Sequence, residues 1–107
     1  MLRVLMICGA GASTGFMAQA ARRAAKKENL DMHIEAKSTA YLESYLDSID
    51  VLLLGSHFSY KEEEIRQEIA GRNIVFGVVP QKIFGSLDGK GLVDFIKQLC
   101  AAEKRTI

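Results

Sequence analysis

Four short apolar runs separated by stretches of helical periodicity constrain this chain more than any other feature. The runs are Leu2 to Ile7, Met32 to Ala36, Asp50 to Leu54 and Ile74 to Val79. The first carries one charge, Arg3, and is bounded by a Gly-rich segment, which suits a buried strand of a parallel sheet. The second alternates weakly, the third closes at Gly55, and the β-branched fourth ends at Pro80, whose missing N–H cannot continue a central ladder. Between the first two runs, about Ser13 to Glu28 reads as an Ala-rich helix. Phe16, Ala20 and Ala24 share one of its faces, and Arg22, Arg23, Lys26 and Lys27 crowd the other side and the C-terminal end, where cations complement the dipole. Thr39 to Leu46 reads as holding a short helix. Tyr60 to Ala70 reads as a helix with Ile65 and Ile69 inward and Gly71 as its stop, and Gly89 to Glu103 as the last helix. The order β-α-β-α-β-α-β-α requires right-handed crossovers. The expected fold is therefore a single α/β domain, a four-stranded open parallel sheet with helices on both faces.

Composition narrows the class further. At 107 residues, 49% hydrophobic and 25% charged, the chain has material for one core and not two, so residues 1–107 are expected to form one domain. Fourteen Lys and Arg against thirteen Asp and Glu leave a formal charge of +1, and no excess charge argues for nucleic acid or an anionic membrane as partner. Leu2 to Ile7 is too short for a signal-peptide core, and no segment reaches about 18 uninterrupted apolar residues. No direct membrane insertion is expected, and a cytoplasmic protein is the default. Cys8 and Cys100 form neither a CxxC pair nor a zinc spacing. Cys100, among Leu92, Phe95, Ile96 and Leu99 at helical spacing, reads as core. His33 reads as a strand-edge residue, the basic run from Arg22 to Lys27 and the acidic run Glu62-Glu63-Glu64 as solvated faces, and Tyr41 and Tyr45 as cover for the core.

In an open parallel sheet, ligands bind outside the carboxyl ends of the strands, near the point where strand order reverses. Three segments end there: Cys8 to Gly15, Gly55 to Tyr60, and Val79 to Asp88. The first reads CGAGASTG. A dinucleotide fingerprint is met at Gly9 and Gly11, but its third glycine falls on Thr14. The P-loop motif fails because no Lys-Ser or Lys-Thr pair follows these glycines, which leaves nothing to neutralise a triphosphate or hold magnesium. What remains is a cysteine at a strand end, small residues, and a helix starting at Ser13 or Thr14. Small side chains let successive N–H groups point inward as an anion site, and the helix start adds about half an elementary positive charge. The same field lowers the Cys8 pKa from its free value of about 8.5 and favours the thiolate. An ordinary strand-to-helix turn, with Ser13 as N-cap and Cys8 as packing, fits these residues equally well.

Opening a chain of this length, CGAGASTG resembles the phosphocysteine loop of the lactose/cellobiose-type enzyme IIB components of the bacterial sugar phosphotransferase system. DVLLLGSHFSY resembles that family's third strand and following loop, and KIFGSLDGKGL is similar to its aromatic-Gly-x-x-Asp-Gly approach to the last helix. The resemblance covers nearly the whole chain in order, and makes residues 1–107 one domain of this type. It implies a phosphotyrosine-phosphatase-like cysteine loop after the first strand. It further implies a cytoplasmic protein-N(π)-phosphohistidine–sugar phosphotransferase, monomeric when isolated. Such a protein takes a phosphoryl group from a histidine of a IIA partner and passes it to a sugar bound by a membrane-embedded IIC partner. Carried over by position, Cys8 is the nucleophile, and Gly9, Ala10, Gly11, Ala12, Ser13, Thr14 and Gly15 hold the phosphoryl oxygens. Ser56-His57 stands where the family often has an amide, which makes His57 a candidate accessory contact; Phe84 stands where a tyrosine is often seen, so that hydroxyl is absent. No cofactor and no metal are implied.

Two other classes compete. A low-molecular-weight phosphatase or arsenate-reductase-like thiol enzyme uses a similar sheet and a cysteine loop closed by an arginine six residues after the nucleophile. That position is Thr14, and VVPQKIF offers no general acid for the leaving group. Asp88 lies farther along and reads as a turn or cap residue. Without the arginine, backbone dipoles and partner groups must stabilise the transferring phosphoryl. The other class is a non-catalytic anion-binding module, which would use the loop without covalent chemistry.

Overall fold

The computed structural model describes residues 2–7, 12–38, 41–55, 60–86 and 88–102. Its elements are β1 (Leu2–Ile7), α1 (Ala12–Lys27), β2 (Met32–Lys37), α2 (Leu42–Tyr45), β3 (Val51–Leu54), α3 (Glu62–Glu68), β4 (Val75–Val78), α4 (Gln81–Gly85) and α5 (Gly89–Ala102). All four strands are parallel, in the order β2-β1-β3-β4. The expected sheet is thus present, with the chain starting at its centre.

Position in the sheet explains the apolar runs. β1 and β3 have a strand on each side and are buried almost throughout, whereas the edge strands β2 and β4 are half-buried. That is why the second run alternates only weakly: a strand with one solvated flank needs fewer apolar residues. Side chains then sort by the period of two. Val4, Met6, Val51 and Leu53 pack with Met17, Ala21, Leu92 and Ile96 on the face covered by α1 and α5. Leu5, Ile7, Leu52 and Leu54 pack with Leu42, Leu46, Ile65 and Ile69 on the face covered by α2 and α3. Each fully buried Leu or Ile contributes about 2 kcal/mol of transfer free energy, so both faces matter to stability. Cys100 lies within the first of these clusters, fully buried.

Three expectations need correction. On α1 the buried row is Met17, Ala18, Ala21 and Ala25, while Phe16 is 63% exposed and Ala20 and Ala24 sit at the margin. Alanines occupy both rows, so the periodicity balances between them, and the exposed Phe16 ring is the only large apolar group on the outer row. Tyr41 does not cover the core; it is exposed, with the Lys37 ammonium 5.7 Å from its ring centroid, and only Tyr45 packs against the core. Finally, a short helix, α4, follows β4 where a loop was expected. Pro80 follows the strand and immediately precedes this turn, its carbonyl accepting from the Ile83 N–H at 3.0 Å; a residue without an N–H can close a strand ladder and open a helix alike.

Other boundaries move by a residue or two. Asp50 precedes β3 but already donates its N–H to the Arg3 carbonyl at 2.8 Å. α3 is shorter than the expected 60–70, and Gly71, at φ 82, makes the left-handed turn after it that a glycine adopts without a Cβ clash. The exposed edge of β2 is covered in part by Arg22, whose Nε donates to the Ile34 carbonyl at 2.6 Å.

Candidate functional site

Strand order places the site. Between β1 and β3 the chain reverses its direction of winding, and there the carboxyl ends of the two strands lie side by side. Ile7 is in register with Leu54, and the Gly55 N–H donates to the Ile7 carbonyl at 3.0 Å. β4 ends next in line, the Val79 N–H donating to the Leu54 carbonyl at 2.9 Å. Ile7, Leu54 and Val79 are all fully buried, so the segments that follow leave from a rigid, apolar base.

Cys8, Gly9, Ala10, Gly11 and His57 lie outside the described residues. Ala12, Ser13 and Thr14 give their backbone to the first turn of α1, and their side chains are likewise outside the description. α1 starts one residue before the expected start and has 16 residues, long enough for an aligned dipole. Its first turn contains no acidic residue, so nothing of like sign to a phosphate is built into it. Gly15 is exposed, and a Cβ there would meet no heavy atom within 4 Å. Packing among the described residues does not require a glycine at that position.

The remaining candidates fall elsewhere. Asp88 is the N-cap of α5: its Oδ1 accepts from the Gly91 N–H at 2.9 Å and its carbonyl accepts from the Leu92 N–H at 2.9 Å. Its reading as a cap residue holds. His33, on the edge strand, pairs with Glu35 at 3.1 Å, and both are partly exposed. The hydrogen bond from His33 holds the Glu35 carboxyl below its ordinary range, against the opposing effect of burial. Among the described residues no group of three or more His, Cys, Asp or Glu could hold a metal ion. A hollow of about 290 Å³ lined by Arg3, His33, Glu35 and Tyr45 lies along the strands rather than at their carboxyl ends.

An open parallel sheet of four strands with helices on both faces, its strand order reversing between β1 and β3, defines a small α/β protein of the doubly wound type. Comparison with known proteins narrows this to a family. The family described as "PTS system, Lactose/Cellobiose specific IIB subunit" matches residues 3–95. A galactose-specific EIIB component of the phosphotransferase system from Lactococcus lactis subsp. cremoris is 32% identical over 94% of this chain and 92% of its own. A cellobiose-specific EIIB component from Lactococcus lactis subsp. lactis matches at the same identity and coverage. The chain belongs to the lactose/cellobiose-specific IIB family of the phosphotransferase system. Its coarse role is phosphotransfer in sugar uptake.

Solved structures agree on the fold. The lactose-specific IIB component domain from Streptococcus pneumoniae superposes with a TM-score of 0.77 at 14% identity, covering 91% of this chain and 95% of that one. The cellobiose-specific IIB component from Borrelia burgdorferi gives 0.72 at 24% identity, covering 99% and 96%. No helix among the described residues is long and apolar enough to cross a membrane.

Proposed function

We propose that this protein is a phosphocarrier in which Cys8 accepts a phosphoryl group from a IIA phosphohistidine and passes it to a sugar held by a membrane IIC component. The observation that carries the reading is that Gly55 pairs with Ile7 at the end of the central strand and that α1 begins only five residues after Ile7. Residues 8–11 connect the end of the central strand to the N-terminus of a 16-residue helix, at the switch point. Backbone N–H groups and the helix dipole favour both a thiolate and a phosphoryl dianion at such a position.

In the first transfer the Cys8 sulfur attacks phosphorus in line. The S–P bond forms, the P–N bond breaks, and its electron pair returns to the donor imidazole. Gly9 to Gly15 hold the equatorial oxygens through backbone N–H groups and the Ser13 and Thr14 hydroxyls. In the second transfer the sugar hydroxyl oxygen attacks, the S–P bond breaks, the thiolate leaves, and the hydroxyl proton passes to a base on the acceptor's side. His57 is an accessory contact to the phosphoryl group in this reading. Thr14 stands where the related hydrolases carry an arginine, so the loop holds the group without a fixed guanidinium and releases it to a partner. The protein works as one domain in the cytoplasm, without metal or cofactor.

A chase experiment separates relay from hydrolysis. Phosphorylated protein freed of its donor is expected to keep its phosphoryl group in buffer and to lose it to sugar when membranes carrying the IIC component are added. Release as inorganic phosphate in buffer alone, at the same rate, overturns the relay in favour of a thiol phosphatase.

A further inference from the structure

On the face of the sheet covered by α1 and α5 the two helices run parallel. Gly89 at the start of α5 lies against the Ala20 carbonyl of α1, so closely that a Cβ there would overlap it. Eight residues further on from each, at Lys97 in α5 and at Glu28 just past the end of α1, Lys97 Nζ meets Glu28 Oε1 at 2.6 Å. Eight residues advance about 12 Å in either helix, so the two contacts belong to one seam. Beside it opens a groove of about 320 Å³, with Ala20, Ala24 and Gly89 as its floor, Arg23, Lys27 and Lys90 on its rim, and Glu28 at one end.

The groove is cationic in its available charge. Glu28 is engaged by Lys97, whereas Arg23 and Lys27 have no partner among the described residues. Lys90 reaches Asp94 at 3.3 Å in an exposed pair, which water and salt weaken. α1 contains no acidic residue at all. The helix dipole accounts for Lys26 and Lys27 in the last turn, but not for Arg23 before it. Still less does it account for Lys90, in the first turn of α5, where the dipole opposes a cation. Cations on the rim call for carboxylates. The floor is apolar and concave, which a free anion or a flat lipid surface would leave unfilled.

We propose that this groove docks an acidic segment of a partner protein, an extended stretch whose carboxylates meet Arg23, Lys27 and Lys90 while an apolar side chain enters the floor. The docking is independent of phosphoryl chemistry at Cys8, since none of the residues that line the groove belongs to the segment from Cys8 to Gly15.

The test is fluorescence anisotropy of a fluorescein-labelled peptide of Glu and Asp around one central Leu, titrated with the full chain at about 0.15 M ionic strength, where the Debye length is about 8 Å. Saturable binding is expected. It weakens roughly tenfold or more in the Arg23→Glu/Lys27→Glu double variant, which replaces attraction with repulsion. A Lys61→Glu/Arg66→Glu variant, on the opposite face of the sheet beside α3 and with the same change of net charge, loses less than about twofold, since screened distant charges act weakly. Lys90→Glu weakens binding, and Cys8→Ser leaves it unchanged even if the phosphocarrier reading fails. Circular dichroism checks that each variant folds; Arg23→Gln/Lys27→Gln replaces any charge reversal that does not. Absence of binding, or equal loss in the two double variants, overturns the proposal. So does groove-dependent binding to phosphatidylserine vesicles without binding to the peptide, or groove-dependent self-association in sedimentation, which would assign the face to a membrane or to a second copy.

Discussion

Two glycines, each at the start of a long helix, have opposite reasons for being there. At Gly89 the reason is contact: the Ala20 carbonyl occupies the space a Cβ would need. Gly89→Ala is therefore expected to lower stability by about 1–3 kcal/mol in urea unfolding, despite alanine's better helix propensity, because overpacking outweighs it. An unchanged or raised midpoint would show that α1 and α5 separate at no cost. At Gly15 the surrounding space is open. Gly15→Ala is expected to raise stability by about 0.5–1 kcal/mol, as for Gly to Ala in an exposed helical turn. It is also expected to slow phosphoryl transfer, because the proposed function assigns Gly15 to the loop that holds the phosphoryl oxygens. A variant that gains stability and transfers at the full rate removes Gly15 from that loop. The neighbouring cap is a third case: Asp88→Ala should cost about 1 kcal/mol through the lost bond to Gly91, with no effect on transfer rate.

At the scale of elements, the α1 rows are the informative comparison. Phe16→Ser is expected to change stability by no more than about 0.5 kcal/mol, since the ring is exposed, whereas Ala21→Leu should cost about 1–3 kcal/mol by overfilling a fully buried position. The reverse ranking, measured by chemical denaturation, would put Phe16, Ala20 and Ala24 back in the core. Which row is inward was not legible in the sequence because alanine is tolerated in both, and the decision comes from how closely α5 approaches. Strands were easier: a run such as Asp50 to Leu54, apolar on both faces, can only be central in a doubly covered sheet. α4 is not legible in the sequence because a proline such as Pro80 marks the end of a strand and the approach to a helical turn equally well. The groove between α1 and α5 could not be read at all, since it pairs residues as far apart as Glu28 and Lys97. The candidate site was legible to the extent that its chemistry is local, with cysteine, small residues and a helix start consecutive in the chain.

Over the whole molecule, two of the described titratable groups are held off their ordinary values by ion pairs. Glu35 titrates below its ordinary value of 4.5, chiefly through the His33 hydrogen bond. Its contribution to stability is complete above that value and is lost as pH falls through the lowered pKa. Lys97 titrates above its ordinary value of 10.5, chiefly through the hydrogen bond to Glu28. Its contribution is complete below that value and is lost as pH rises through the raised pKa. Urea midpoints should accordingly form a plateau with shallow acid and alkaline limbs, shallow because both pairs are partly exposed. Glu35→Gln should flatten only the acid limb and Lys97→Met only the alkaline one; a variant that alters the opposite limb contradicts the assignment. The proposed function rests on the carboxyl ends of the strands, where β1 ends at Ile7 and α1 begins at Ala12. The most direct measurement there is intact mass after incubation with the general phosphotransferase proteins and a matching IIA. Wild type is expected to gain one phosphoryl group and Cys8→Ser none on cysteine; a wild type that gains nothing, or a Cys8→Ser protein still phosphorylated on Cys100, contradicts the account.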